Sequence, residues 1–306
     1  EAIQMIDRAI AVDPLSAVLY GKRAAIKEDQ GRYEASKADY LKALEIDPGF
    51  ASAKAGIGTL NAYVFNRLDQ SVKDIQDVIA MDPGNPMYRN MLVVTYQDIG
   101  LHAESIETAR RLYAKYGQEY SCILSFAELF AGNAKASLRL SQQVPTYSCG
   151  IYWLIRNGKY EESIKLIRQE APELFDANAT PTLYQTVSTY PILVSLNALG
   201  RESEAKAMAE RMLLSLKPAV RMGLYGYGLT DVALLAQMGN REQALATLEK
   251  AVDEGWQGPY WQFLRDFDPA LQPIRDDPRF RAAFGRLEAS VAAQRARLPA
   301  APPAAP

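Results

Sequence analysis

Three prolines set the strongest constraint on this chain. Pro14, Pro48 and Pro83 lie 34 and 35 residues apart, and each follows an aspartate that closes a stretch of helical periodicity. Aligned on them, the sequence reads Ala2-x3-Ile6-x2-Ala9-x4-Pro14, then Ser36-x3-Tyr40-x2-Ala43-x4-Pro48, then Ser71-x3-Ile75-x2-Val78-x4-Pro83. Upstream in each full block lies another helical stretch, as in Tyr20-x2-Arg23-Ala24-x2-Lys27 and Arg89-x2-Leu92-Val93-x2-Tyr96, ending at Gly31 or Gly100. Small residues let paired helices approach, glycine ends the first helix and proline stops the second. A lone hairpin of this kind cannot bury its apolar face, so neighbours must stack.

These residues resemble the tetratricopeptide repeat, a helix–turn–helix unit of about 34 residues. The closest match is the block Gly31-Arg-Tyr33-Glu-Ala-Ser36 through Leu44-Glu-Ile-Asp-Pro48. Arg23 and Lys27 depart from the pattern at usually apolar positions, Glu170 at a usually small one, and the later blocks lack closing prolines. Further hairpins are read from Gly158 before Ser163 and Ile167, Gly200 before Ala205 and Ala209, and Gly239 before Ala244, Leu248 and Ala251. The resemblance implies an all-α, right-handed α-solenoid of about seven helix hairpins, a quasi-linear array over 1–254 in which most cores are shared between neighbouring hairpins.

The array is irregular around 118–145, where a short unit turns at Gly132-Asn133, and around 172–191, where Pro191 should break a helix. Gly223, Gly226 and Gly228 form a cluster that lacks the order and the lysine of a phosphate loop. Residues 255–298 are read as an aromatic linker and a capping helix. Trp256, Tyr260, Trp261, Phe263 and Phe267 are expected to pack against the last repeat. Asp277-Pro278 opens a helix whose Phe280, Phe284, Leu287 and Val291 form one inward stripe, with Arg279, Arg281, Arg286 and Glu288 outward. The Ala/Pro tail 299–306 is expected to be disordered.

The run from Gly255-Trp256 through Asp268-Pro269 to Ala293-Gln294-Arg295 is similar to the closing segment of bacterial multidomain regulators. In those, a repeat array follows a winged-helix or class III cyclase output module. That similarity implies a sensing or scaffold region whose compartment, cytoplasmic or periplasmic, depends on a preceding anchor. The opening at Glu1 reads as the second helix of a repeat, hence as a piece of a longer protein.

Composition narrows the function. With 34 Lys+Arg against 36 Asp+Glu, the chain has no excess positive charge to draw a phosphate backbone, so no direct nucleic-acid partner is expected. No apolar stretch is long enough for a membrane span. His102 stands alone, no metal or catalytic motif is present, and neither enzyme activity nor a cofactor is expected. Cys122 and Cys149 are read as buried free thiols, with a disulfide also conceivable. Binding is expected in the concave groove lined by first helices, at Met87, Asn90, Val94, Gln97, Glu128, Tyr152, Tyr190, Asn197, Leu229 and Gln237. Amides and tyrosines on that face suit a protein or peptide ligand. A homodimer that brings output modules together is the alternative.

Overall fold

The computed structural model describes residues 2–143 and 147–299. The chain is built of helices: α1 (Ala2–Val12), α2 (Ala17–Asp29), α3 (Tyr33–Ile46), α4 (Ala51–Tyr63), α5 (Leu68–Met81), α6 (Pro86–Asp98), α7 (His102–Tyr116), α8 (Ser121–Phe130), α9 (Ala134–Gln143) and α10 (Tyr147–Arg156). The second half continues with α11 (Tyr160–Glu170), α12 (Leu183–Thr189), α13 (Ile192–Ala198), α14 (Glu202–Leu216), α15 (Thr230–Gln237), α16 (Arg241–Asp253), α17 (Trp261–Asp266), α18 (Gln272–Arg275) and α19 (Pro278–Arg295). Among the described residues there is no strand. Residues 300–306, most of the tail expected to be disordered, lie outside the described ones.

Helix ends follow the punctuation. The helices α1, α3 and α5 stop at Val12, Ile46 and Met81, each two residues short of its proline. At the α2–α3 turn Gly31 has φ 71°. Its N–H donates to the Glu28 carbonyl at 2.9 Å and Arg32 N–H reaches the Lys27 carbonyl at 2.8 Å, so the last carbonyls of α2 are satisfied. The α6–α7 turn repeats this through Gly100 and Leu101. The α4–α5 turn has no glycine; Asn66 takes the left-handed conformation there, φ 52°, which asparagine tolerates better than most side chains. Pro191 separates α12 from α13. Arg23 and Lys27, the charged departures from the repeat pattern, both bond the Asp39 carboxylate, at 2.7 and 2.6 Å. Lys54 meets Asp74 at 3.0 Å one repeat later.

The capping helix α19 forms as its pattern requires. Asp277 caps it by accepting Arg279 N–H at 2.9 Å, and Phe280, Phe284, Leu287 and Val291 are buried. Arg279 pairs with Glu249 and Glu242, and Arg286 with Asp253, which fastens α19 to α16.

The cores are not shared only between neighbouring hairpins, and this corrects the quasi-linear expectation. One continuous apolar cluster runs from Ala62 and Leu68 on α4 and α5, through the α13–α16 repeats, to Val291 on α19. The far end of α19 returns to α5, where Arg297 meets Asp69 at 2.8 Å and Gln294 bonds Leu68. The glycine-rich loop 217–229 makes a second crossing: Tyr33 hydroxyl donates to the Met222 carbonyl at 3.0 Å, and Gly223 N–H to the Tyr63 carbonyl at 3.2 Å. Solenoid curvature brings the early repeats within reach of the C-terminal segment, and apolar side chains from both fill the space between.

Candidate functional site

The segment 255–268, here the strap, shares a core with the last repeat, Trp256 and Trp261 clustering with Leu245, Leu248 and Ala251, and also crosses to the earlier helices. Its anchor is the C-terminal end of α6, where helix geometry leaves carbonyls without intrahelical partners. Trp261 Nε1–H donates to the Asp98 carbonyl at 2.8 Å, and Gln262 Nε2–H to the Gln97 carbonyl at 2.8 Å. The Asp98 side chain accepts Tyr260 N–H at 2.8 Å and the Tyr63 hydroxyl at 3.0 Å. Burial holds the Asp98 carboxyl well above its usual range, with these two hydrogen bonds pulling the other way. Asn66 Nδ2–H reaches the Gly255 carbonyl at 3.0 Å and fixes the strap's start.

The strap's rings then seat on the middle repeats. Phe126 of α8 packs against Tyr260 and Phe263, with centroids 5.2 and 5.3 Å apart. Tyr152 of α10 meets Phe263 edge-on at 4.8 Å, and Phe130 meets Phe267 at 6.2 Å. The aromatics crowded into this stretch are therefore packing groups, as expected, and besides the last repeat their partners include α6, α8 and α10. Edge-on and tilted ring pairs of this kind add a modest orientation-dependent gain to the area they bury. At the strap's end the Tyr152 hydroxyl is 3.0 Å from that of Tyr190, which donates to Asp268 at 2.5 Å. Burial pushes Asp268 up to about 6, opposed by the hydrogen bonds from Tyr190 and the Ala270 N–H.

Docking the strap carries local costs. Tyr260 sits at φ 58°, ψ 29°, in the left-handed region, which costs a non-glycine residue of order 1–3 kcal/mol. Both amide atoms of Gln97, and Oε1 of Gln262, are buried without a hydrogen-bond partner. Each such orphan forfeits about 1–3 kcal/mol of hydration.

Cavities remain on either side of the strap. One, of about 240 Å³, is lined by Met87, Asn90 and Val94 together with Thr59, Tyr63, Ser71, Ile75, Met91 and Thr95, and closed by Leu224, Pro259 and Tyr260. The other, of about 340 Å³, has Tyr152, Tyr190 and Leu229 in its walls with Phe126, Tyr227, Trp256 and Phe263. Leu224, Pro259 and Tyr260 belong to both, so the cavities adjoin, and neither is lined by a charged side chain.

The remaining residues expected in the groove are buried or paired within the protein. Gln97 lies fully buried beneath the strap. Glu128 accepts Arg110 at 2.9 Å and Asn133 at 2.7 Å. Asn197 donates to Gln237, which in turn donates to the Ala270 carbonyl at 2.9 Å. Sequence reading missed Tyr63, Met91, Leu224 and the strap itself as site-forming residues. Spacing gave no signal for a C-terminal segment returning to α6.

His102 stacks on Phe130 with centroids 6.0 Å apart, and burial lowers its pKa. Cys122 is disulfide-bonded, which differs from the free-thiol reading; the side chain of Cys149 lies outside the described residues. Among the described residues no three His, Cys, Asp or Glu side chains gather to hold a metal ion. No described helix is long and apolar enough to cross a membrane.

Residues 17–50, which are α2, α3 and the turn beyond, match the tetratricopeptide repeat family model. Sperm-associated antigen 1 of Mus musculus is 29% identical over 100 residues, covering 32% of this chain and 11% of that protein. Small glutamine-rich tetratricopeptide repeat-containing protein 2 of Mycosarcoma maydis is 26% identical over 104 residues, 34% of this chain and 29% of that protein. The chain thus aligns with under a third of the length of either relative. Among solved structures, the APC/C hetero-tetramer Cut9-Hcn1 matches 93% of this chain and 52% of its own with a TM-score of 0.52 at 10% identity, a likeness of fold. The chain is an all-α solenoid of helix hairpins with a C-terminal capping helix, and within it residues 17–50 match the tetratricopeptide repeat.

Proposed function

We propose that the chain is a non-catalytic scaffold that binds a segment of a partner protein along its strapped concave groove. One observation carries this reading. Two adjoining cavities, walled by uncharged apolar and aromatic side chains, open on the face where Met87, Asn90, Val94, Tyr152, Tyr190 and Leu229 converge. Apolar walls with a few amides and hydroxyls take side chains of an extended or helical segment and leave its backbone to pair at the rim. Panning a displayed random-peptide library against the chain tests it. Selected peptides should lose binding on Leu224→Arg, which sets a charge between the cavities, while the melting temperature stays near that of the parent. Peptides that bind the variant equally well would contradict the groove.

Self-association is the second reading, supported by exposed Met5, Val12, Leu15 and Val18 on and beside α1 and α2. Light scattering across concentration decides it: a constant monomer mass rejects it. The setting in a bacterial multidomain regulator is supported by the closing run 255–295 alone. Locating an output module in the same polypeptide would establish it, and a different neighbour would remove it.

A further inference from the structure

The smaller cavity has a lining that specifies its occupant. Tyr63, Ile75, Met91 and Val94 form its walls, and the strap's Pro259 and Tyr260 close it. Its threonine hydroxyls are engaged by their own helices, Thr59 with the Gly56 carbonyl at 2.8 Å and Thr95 with the Met91 carbonyl at 2.9 Å. Ser71 is fully buried in the lining, and its hydroxyl has no partner. Met87 stands 56% exposed at the mouth. At about 240 Å³ the space falls below the ~300–1,000 Å³ of sites for drug-sized ligands, which suits one apolar group and not a cofactor. A charged group would lose its hydration with no counter-ion in the lining. Methionine walls adapt to the shape of what enters.

We propose that this cavity is an anchor site for a single uncharged apolar side chain, of the leucine, methionine or phenylalanine kind, carried by a partner protein's segment. It rests on the scaffold reading above and narrows it: the anchor enters past Met87, lies between α4–α6 and the strap, and stops at Ser71. Because Pro259 and Tyr260 supply one wall, the site exists only while the strap is docked.

Carbon-13 methyl-methionine NMR on the full chain tests the site, with N-acetyl-leucinamide as the neutral probe and N-acetyl-lysinamide as the charged one. The Met91 methyl should shift saturably with the leucine probe and respond at least about tenfold more weakly to the lysine probe. Met87→Glu, a change at an exposed position, should abolish the Met91 response and leave the rest of the spectrum in place. No Met91 shift, equal response to both probes, or a titration unchanged by Met87→Glu would each overturn the site. Library peptides that lose binding on Leu224→Arg but ignore Met87→Glu would overturn the anchor and leave the scaffold reading. A normal Met91 titration with no peptide ever selected would overturn the protein partner and the scaffold reading together.

Discussion

Gln294 Oε1 accepts the backbone N–H of Leu68 at 2.7 Å, across 226 residues of sequence. Leu68 opens α5, so this N–H is one that helix geometry leaves without an internal partner. The Gln294 amide also donates to Gln257 Oε1 at 2.8 Å, tying α5, the strap and α19 into one buried joint. Gln294→Ala strands the Leu68 N–H away from water and should cost roughly 1–3 kcal/mol in urea unfolding. The nearby Arg297–Asp69 pair is partly open to solvent, so Arg297→Ala should cost clearly less than Gln294→Ala. Equal costs for the two variants would contradict the joint.

Asp268 gives the closed form a pH signature. Burial raises its pKa from 3.8 to about 6, so between those values the folded chain keeps a proton that the unfolded chain has released. Rising pH through that window therefore destabilises the fold, by on the order of 3 kcal/mol once the upper value is passed. Asp268→Asn removes this titration while leaving a side-chain oxygen for the Ala270 N–H. The variant's melting temperature should accordingly gain on the parent's as pH rises from 4 to 7. A difference that stays flat across that range would show that Asp268 ionises normally.

Gly31 and Gly239 occupy equivalent turns with φ 71° and 78°, yet their surroundings differ. A Cβ on Gly31 would lie 2.9 Å from Val220 Cγ1 of the loop crossing from the second half, whereas one on Gly239 meets nothing within 4 Å. Gly239→Ala should cost about 1–2 kcal/mol from backbone conformation alone. Gly31→Ala should cost more, because Val220 must also move. Thermal melts of the two variants side by side measure the crossing contact, and equal shifts would argue against it.

Tyr260 tests the strap locally. Its left-handed backbone and the unpaired amides of Gln97 and Gln262 concentrate cost where the strap meets α6. Amide exchange at 255–268 should therefore be faster than in the buried stripe of α19, since segments of lower local stability open first. Gln262→Ala removes the bond to the Gln97 carbonyl and should speed strap exchange by roughly fivefold or more, the equivalent of about 1 kcal/mol. Exchange unchanged in the strap would mean that this contact does not hold it.

The repeat was legible because its signals are local. Pro14, Pro48 and Pro83 end helices, Gly31 and Gly100 take the turns, and the Phe280–Val291 stripe has helical spacing. Asp39 could have explained the charged Arg23 and Lys27, as Asp74 one repeat later explains Lys54. Closure was not legible. Gln294, in an Ala-Ala-Gln-Arg run, looks like a solvent residue, and Asn66 replaces the glycine that would mark its turn. Contacts such as Asp98–Trp261 join residues 163 positions apart, and pairing at that range leaves no period in a single sequence. For the same reason nothing in the sequence marked Leu224, Pro259 and Tyr260 as walls of the cavities beside α6 and α10.

Return of the C-terminal segment to the early repeats is the central claim, and a distance measures it directly. Spin labels at exposed Gln70 on α5 and exposed Ala293 on α19 should give one short, narrow distance distribution in pulsed dipolar spectroscopy. In an open array the two helices would stand many repeats apart, on the order of tens of ångströms given packed-helix spacings of about 8–10 Å. A broad or long distribution would contradict closure, and with it the strapped groove.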